Sequence, residues 1–111
     1  MAWICALQDR DRLHFDQELR LGQGGAAHPG DFKAQARAAL QCLKAQVEAG
    51  GGTMANIVKV NTYLTDIRHR ADYGPVRAEF FGTRMPAHTL VAVAALAQPE
   101  FLIEVEAVAV L

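Results

Sequence analysis

The sequence predicts an α+β domain in which two helices lie on one face of a sheet, and three observations predict it. Apolar residues across 31–49 recur at helical spacing, whereas 56–65 and 102–111 alternate with a period of two. Two glycine-rich breaks, one spanning 22–30 and one at Gly50-Gly51-Gly52, punctuate the chain around these segments.

In chain order, residues 3–7 and 13–21 read as short strands flanking a charged turn, Asp9-Arg10-Asp11-Arg12. The helix over 31–49 begins at Asp31, whose carboxylate suits the free amides of a first turn, and Gly50 is expected to end it in the left-handed conformation. Phe32, Ala36, Ala39, Leu40, Leu43 and Val47 form its buried stripe, opposite Lys33, Arg37, Gln41, Lys44 and Glu48. In the strand over 56–65, Val58, Val60, Thr62 and Leu64 face inward and Ile57, Lys59, Asn61 and Tyr63 outward. A second helix over 71–81 turns Tyr73, Val76, Phe80 and Phe81 inward, with Pro75 in its first turn and Gly82 at its end. Segments 88–96 and 102–111 are expected to pair as a hairpin through Gln98-Pro99-Glu100.

With both helices on one side, the other sheet face carries Lys59, Asn61, Tyr63, His88, Leu90, Ala92, Glu104 and Val108. Such a mixed face, left uncovered in a lone domain, predicts self-association.

The 111 residues suffice for one core, and 20 alanines make the volume-filling part of that core modest. A formal charge of −1 without a basic stripe argues against a nucleic-acid or anionic-membrane partner. No apolar run approaches the ~20 residues of a membrane span, and the acid-containing N-terminal region does not read as a signal peptide. Cys5 and Cys42 lack metal or redox spacing and read as free, partly buried thiols. These features predict a soluble cytoplasmic protein.

Glu104 and Glu106 stand two apart on one strand, which places their carboxylates about 7 Å apart on one side. Close like charges raise one another's pKa, as general acid–base work requires, although alternating glutamates on a solvated strand are common. His14, His28, His69 and His88 are scattered singly, without metal-ligand spacing. His88 differs in opening an apolar strand; alone, it reads as a hydrogen-bonded structural histidine. Gly22-Gln23-Gly24-Gly25 lacks the ending of a phosphate loop, and the absence of serine removes serine-hydrolase schemes.

Asn56-Ile-Val-Lys-Val-Asn-Thr-Tyr-Leu-Thr-Asp66, Glu79-Phe-Phe-Gly82, Pro86-Ala-His-Thr-Leu-Val-Ala-Val-Ala-Ala-Leu96 and Ile103-Glu-Val-Glu-Ala-Val-Ala109 together resemble the Rid (YjgF-type) family of reactive enamine/imine deaminases. Asp31-Phe-Lys-Ala-Gln-Ala-Arg-Ala-Ala-Leu40 and Leu21-Gly-Gln23 extend the likeness upstream. The resemblance implies a chorismate-mutase-like fold with a mixed sheet, a homotrimer, and clefts between subunits that bind small enamines, imines or carboxylates. It implies no metal or organic cofactor. In the active subfamily an arginine in Pro-Ala-Arg clamps the substrate carboxylate. The first glutamate of Glu-x-Glu handles the water that hydrolyses an imine derived from 2-aminoacrylate.

By that resemblance Glu104 is the water-handling glutamate, and His88 stands where the arginine belongs. Gly74 occupies the place of a cleft asparagine, and Leu21 that of the serine before Gly-Gln. No counterpart of the N-terminal-strand tyrosine is found. The candidate site is therefore Glu104 and His88 for catalysis, with Gly74, Arg84 and Tyr63 as contacts to substrate. An imidazole lacks the permanent charge and two-pronged geometry of a guanidinium, so altered or reduced deaminase activity is expected. The alternative is a non-catalytic trimeric module that senses or sequesters a small metabolite in the same clefts.

Overall fold

Among the described residues of the computed structural model, the elements run β1 (Ile4–Asp9), β2 (Arg12–Glu18), α1 (Phe32–Ala49), β3 (Ile57–Leu64), α2 (Arg70–Phe81), β4 (Ala87–Ala92) and β5 (Ile103–Val110). The structure describes residues 4–9, 12–18 and 30–111, the first two stretches by backbone alone. The strands form one mixed sheet of order β1-β2-β5-β3-β4, antiparallel except where β4 lies parallel to β3. Parallel neighbours need a crossover, which α2 supplies.

Helix α1 is set by its own sequence. An Asp31 carboxylate oxygen accepts from the Ala34 N–H at 3.1 Å, and the six stripe residues from Phe32 to Val47 are all buried. The left-handed turn expected at Gly50 comes one residue later. Gly50 stays helical at φ −80°, its N–H donating to the Gln46 carbonyl, and Gly51 takes φ +91°. The buried face also holds Gln35. Its Nε2 donates to the Glu100 carbonyl at 3.0 Å and its Oε1 accepts from the Leu102 N–H at 2.9 Å. This side chain clamps the segment between β4 and β5, where Phe101 is also buried.

In β3, Val60, Thr62 and Leu64 point inward as expected, but Val58 is 48% exposed and Ile57 is buried. The cause is a register shift between Ile57 and Lys59, an irregularity that reverses the alternation at the strand's start. Helix α2 buries Tyr73, Val76 and Phe81, with Phe80 packed against the core. It is entered through a 3-10 turn at Ile67–His69 and begins at Arg70, so Pro75 lies inside the helix and not in its first turn. The missing N–H falls on the exposed side, and Gly74 lacks the Cβ that a following proline would crowd. Gly82, at φ +59°, closes the helix by donating to the Ala78 carbonyl.

The expected hairpin of β4 with β5 does not form. β4 ends at Ala92, and β5 inserts between β2 and β3, pairing with both antiparallel. In the parallel register of β4 on β3, His88 is the partner of Val60 and Leu90 of Thr62. Paired residues share a face, so His88 and Leu90 lie on the helix side and not on the outer face beside Glu104.

The core lies between the helices and the inward residues of β3 and β5, among them Val60, Leu64, Ile103, Val105, Ala107 and Ala109. Neither helix covers the outer face of the sheet, where Val91 is 41% exposed. No helix among the described residues is long and apolar enough to cross a membrane.

Candidate functional site

The candidate residues fall into two neighbourhoods on opposite faces of the sheet. On the outer face, Glu104 and Glu106 alternate along β5 with the buried Ile103, Val105 and Ala107. Glu104 pairs across the ladder with Tyr63 and Glu106 with Asn61, whose Nδ2 donates to the Glu106 carboxylate at 3.3 Å. All four side chains are half-buried within the single chain. Their backbone partners on β2 are Glu18 for Glu104 and Asp16 for Glu106.

The second neighbourhood lies where α2 meets β3 and β4. His88 Nε2 is 2.8 Å from Thr62 Oγ1, and His88 Nδ1 is 2.6 Å from Arg77 Nη1. A guanidinium can only donate, so Nδ1 accepts, and the network assigns the ring proton to Nε2, which donates to Thr62. Thr62 Oγ1 in turn meets Tyr73 Oη at 3.1 Å, either hydroxyl donating. The Arg77 guanidinium also lies over the Tyr73 ring, 5.8 Å from its centroid. Burial first, and the Arg77 charge second, hold the His88 pKa below the ordinary histidine value. Burial likewise raises the Tyr73 phenol, against the opposing effects of the Thr62 hydrogen bond and the Arg77 charge. At neutral pH this is a neutral imidazole and a neutral phenol beside one permanent cation.

The structure thus brings Glu104 and Tyr63 together and sets His88 apart from them within one chain. Gly74 lies three residues before Arg77 on α2, with nothing within 4 Å of where a Cβ would stand. Arg84 is exposed and lines a separate cavity of about 360 Å³ with Met54, Ala55, Phe80, Phe81, Gly82 and Thr83. Leu21 and the Gly22-Gln23-Gly24-Gly25 segment lie outside the described residues. His69 stacks on Phe32 at 4.4 Å between ring centroids, a packing role. Cys42 is an unpaired, half-buried thiol.

Sequence reasoning passed over Arg77, although a signal was present. Arg77 directly follows Val76 and stands four residues after Tyr73, so it borders the apolar stripe of α2, where a charge calls for an explanation. Thr62 gave a similar signal as the one hydroxyl at an inward position of β3.

A family model described as Endoribonuclease L-PSP matches residues 18–111. The RutC family protein PH0854 of Pyrococcus horikoshii is 41% identical over 80 residues, which make up 72% of this chain and 63% of that protein. The chain's match therefore spans less than two thirds of that relative's length. Among solved structures, the YjgF gene product of E. coli superposes with a TM-score of 0.83 at 29% identity, over 96% of this chain and 84% of that one. The protein PA3499 of Pseudomonas aeruginosa superposes with a TM-score of 0.80 at 38% identity, over 90% of this chain and 75% of that one. With the mixed sheet and its helix layer matching these structures and the family model spanning residues 18–111, the chain belongs to the Rid (YjgF/RutC, L-PSP) family.

Proposed function

We propose that this protein hydrolyses a small reactive enamine or imine in clefts between the subunits of a homotrimer, with activity altered by the histidine at position 88. The observation that carries the reading is the placement of Glu104. It is half-buried on an inner strand of the sheet, opposite Tyr63, on a face that no helix among the described residues covers. A second copy laid on that face would exclude water around the carboxylate and strengthen its action on a bound electrophile. Since His88 lies on the other sheet face, the trimer reading joins Glu104 of one subunit to the α2–β4 corner of a neighbour.

The chemistry needs one water. Its oxygen adds to the imine carbon while Glu104 takes a proton from it, and the C=N π electrons move to nitrogen, which is protonated. Collapse of the resulting amino-alcohol breaks the C–N bond, releases ammonia and leaves a carbonyl. Nothing is oxidised or reduced. A positioned general base contributes roughly 10²–10⁴-fold. Ammonia release from freshly generated imines is therefore expected to fall at least about 100-fold in Glu104→Ala. Equal rates in the two proteins would reject the catalytic role.

A second reading, a binding module without turnover, is favoured by one observation. Both ring nitrogens of His88 are already engaged, by Thr62 and Arg77, so the imidazole has no free donor for a substrate carboxylate. A thermal-shift screen separates the two readings, since a ligand that binds the folded form stabilises it by RT ln(1 + [L]/Kd). Stabilisation by a small metabolite without ammonia release would favour the module.

A further inference from the structure

We propose that Arg77, on α2, is the carboxylate-binding residue of this protein's cleft and that His88 is the positioning residue that aims it. The inference rests on the small-molecule reading above and adds to it the charge of the ligand and the residue that meets it.

Four observations carry it. The guanidinium has five N–H donors, yet the one hydrogen bond it makes among the described residues goes to a neutral imidazole nitrogen. No described carboxylate lies within ion-pairing distance of it, whereas Arg37 and Arg68 are each paired with one. Its Nε is sealed from solvent without any acceptor. A buried donor left unmade is destabilising, so packing alone does not account for a cation at this place. Finally, a Cβ at Gly74, one turn before Arg77 on α2, would meet nothing within 4 Å, so that turn is open.

The missing partner is defined by what is present. A half-buried planar cation, resting on the Tyr73 ring and fixed at Nη1 by His88, offers its outer Nη N–H groups to an oxyanion. A carboxylate takes two parallel N–H bonds from such a fork and supplies the missing charge. His88 keeps its acceptor nitrogen toward Arg77 because its other nitrogen is committed to Thr62. The aim of the cation thus runs back through Thr62 and Tyr73 into the core.

The test uses pyruvate, a stable small 2-oxo acid, and its uncharged analogue pyruvamide, titrated into the purified protein by calorimetry. Wild type is expected to prefer pyruvate at least tenfold. Arg77→Gln is expected to abolish that preference, and Arg77→Lys, which keeps the charge without the fork, to retain part of it. His88→Gln, which keeps an acceptor opposite Arg77, is expected to weaken pyruvate less than Arg77→Gln does. A purely structural role for Arg77 would alter the fold's melting temperature without changing the acid-to-amide ratio. Equal affinity for acid and amide in wild type, or an unchanged ratio in a folded Arg77→Gln, overturns the proposal. Glu104→Ala separates this from the hydrolytic reading: loss of ammonia release with pyruvate binding intact leaves both standing, whereas unaltered ammonia release rejects the hydrolytic role of Glu104 alone.

Discussion

Arg77 Nη1 lies 2.6 Å from His88 Nδ1, so the histidine is a neutral acceptor tied to a guanidinium from the adjacent helix. The groups facing it are Arg77 and Tyr73 from α2 and Thr62 from β3. Its folded pKa is lowered, so on acidification the unfolded chain takes up a proton that the fold refuses. The stabilising contribution is complete above the ordinary histidine pKa and is lost as pH falls from there toward the lowered value. Wild type is expected to lose more melting temperature than His88→Gln between about pH 7.5 and about pH 5.5. Parallel slopes in the two proteins would mean that the imidazole protonates freely in the folded state.

Placing an arginine at position 88 is not expected to improve ligand binding. In His88→Arg the new guanidinium would stand against that of Arg77, and like charges a few ångströms apart repel. The single variant is expected to melt lower than wild type and to bind pyruvate no better. The double variant Arg77→Gln/His88→Arg moves the cation from helix to strand and should recover both properties relative to His88→Arg. Melting and calorimetry on the four proteins of this cycle measure the coupling, and strict additivity would show that the two positions do not interact.

Thr62 has no exposed surface and bridges His88 to Tyr73. Thr62→Val keeps the shape but removes the acceptor of the His88 proton. A loss of about 2 kcal/mol in unfolding free energy is expected from denaturant titration, the cost of leaving buried polar groups unpaired. A change within about 0.5 kcal/mol, as for an ordinary surface substitution, would show that the bridge is idle.

The outer face offers a test of assembly. Val91 is exposed and pairs across the ladder with Tyr63, which pairs in turn with Glu104. If copies meet there, Val91→Lys places an unpaired charge in the contact and should reduce the mass read by light scattering to that of a single chain. An unaltered mass would remove this face from the interface.

Much of this molecule could be read from local pattern. Helix α1 was legible because its cap, stripe and glycine stop are all contained in consecutive residues, and β5 because its alternation is unbroken. β4 was not. Ala-His-Thr-Leu-Val-Ala is apolar at both parities, so its facing depends on which strand it joins and in what register. Pairing with β3 instead of β5 was enough to carry His88 from the outer face to the helix side. The irregularity after Ile57 escaped for a similar reason, since one offset residue leaves composition unchanged while reversing what faces the core.

The sequence by itself determined the family, the two helices and the glutamates at alternating positions of the last strand. Only the tertiary structure decided that Glu104 and His88 lie on opposite faces and that Arg77 reaches His88. Periodicity is a property of neighbours along the chain, so residues in sequence suffice to show it. The meeting of Arg77, Thr62 and His88 depends on how a helix is laid across two parallel strands, a choice made by the packing of the whole sheet.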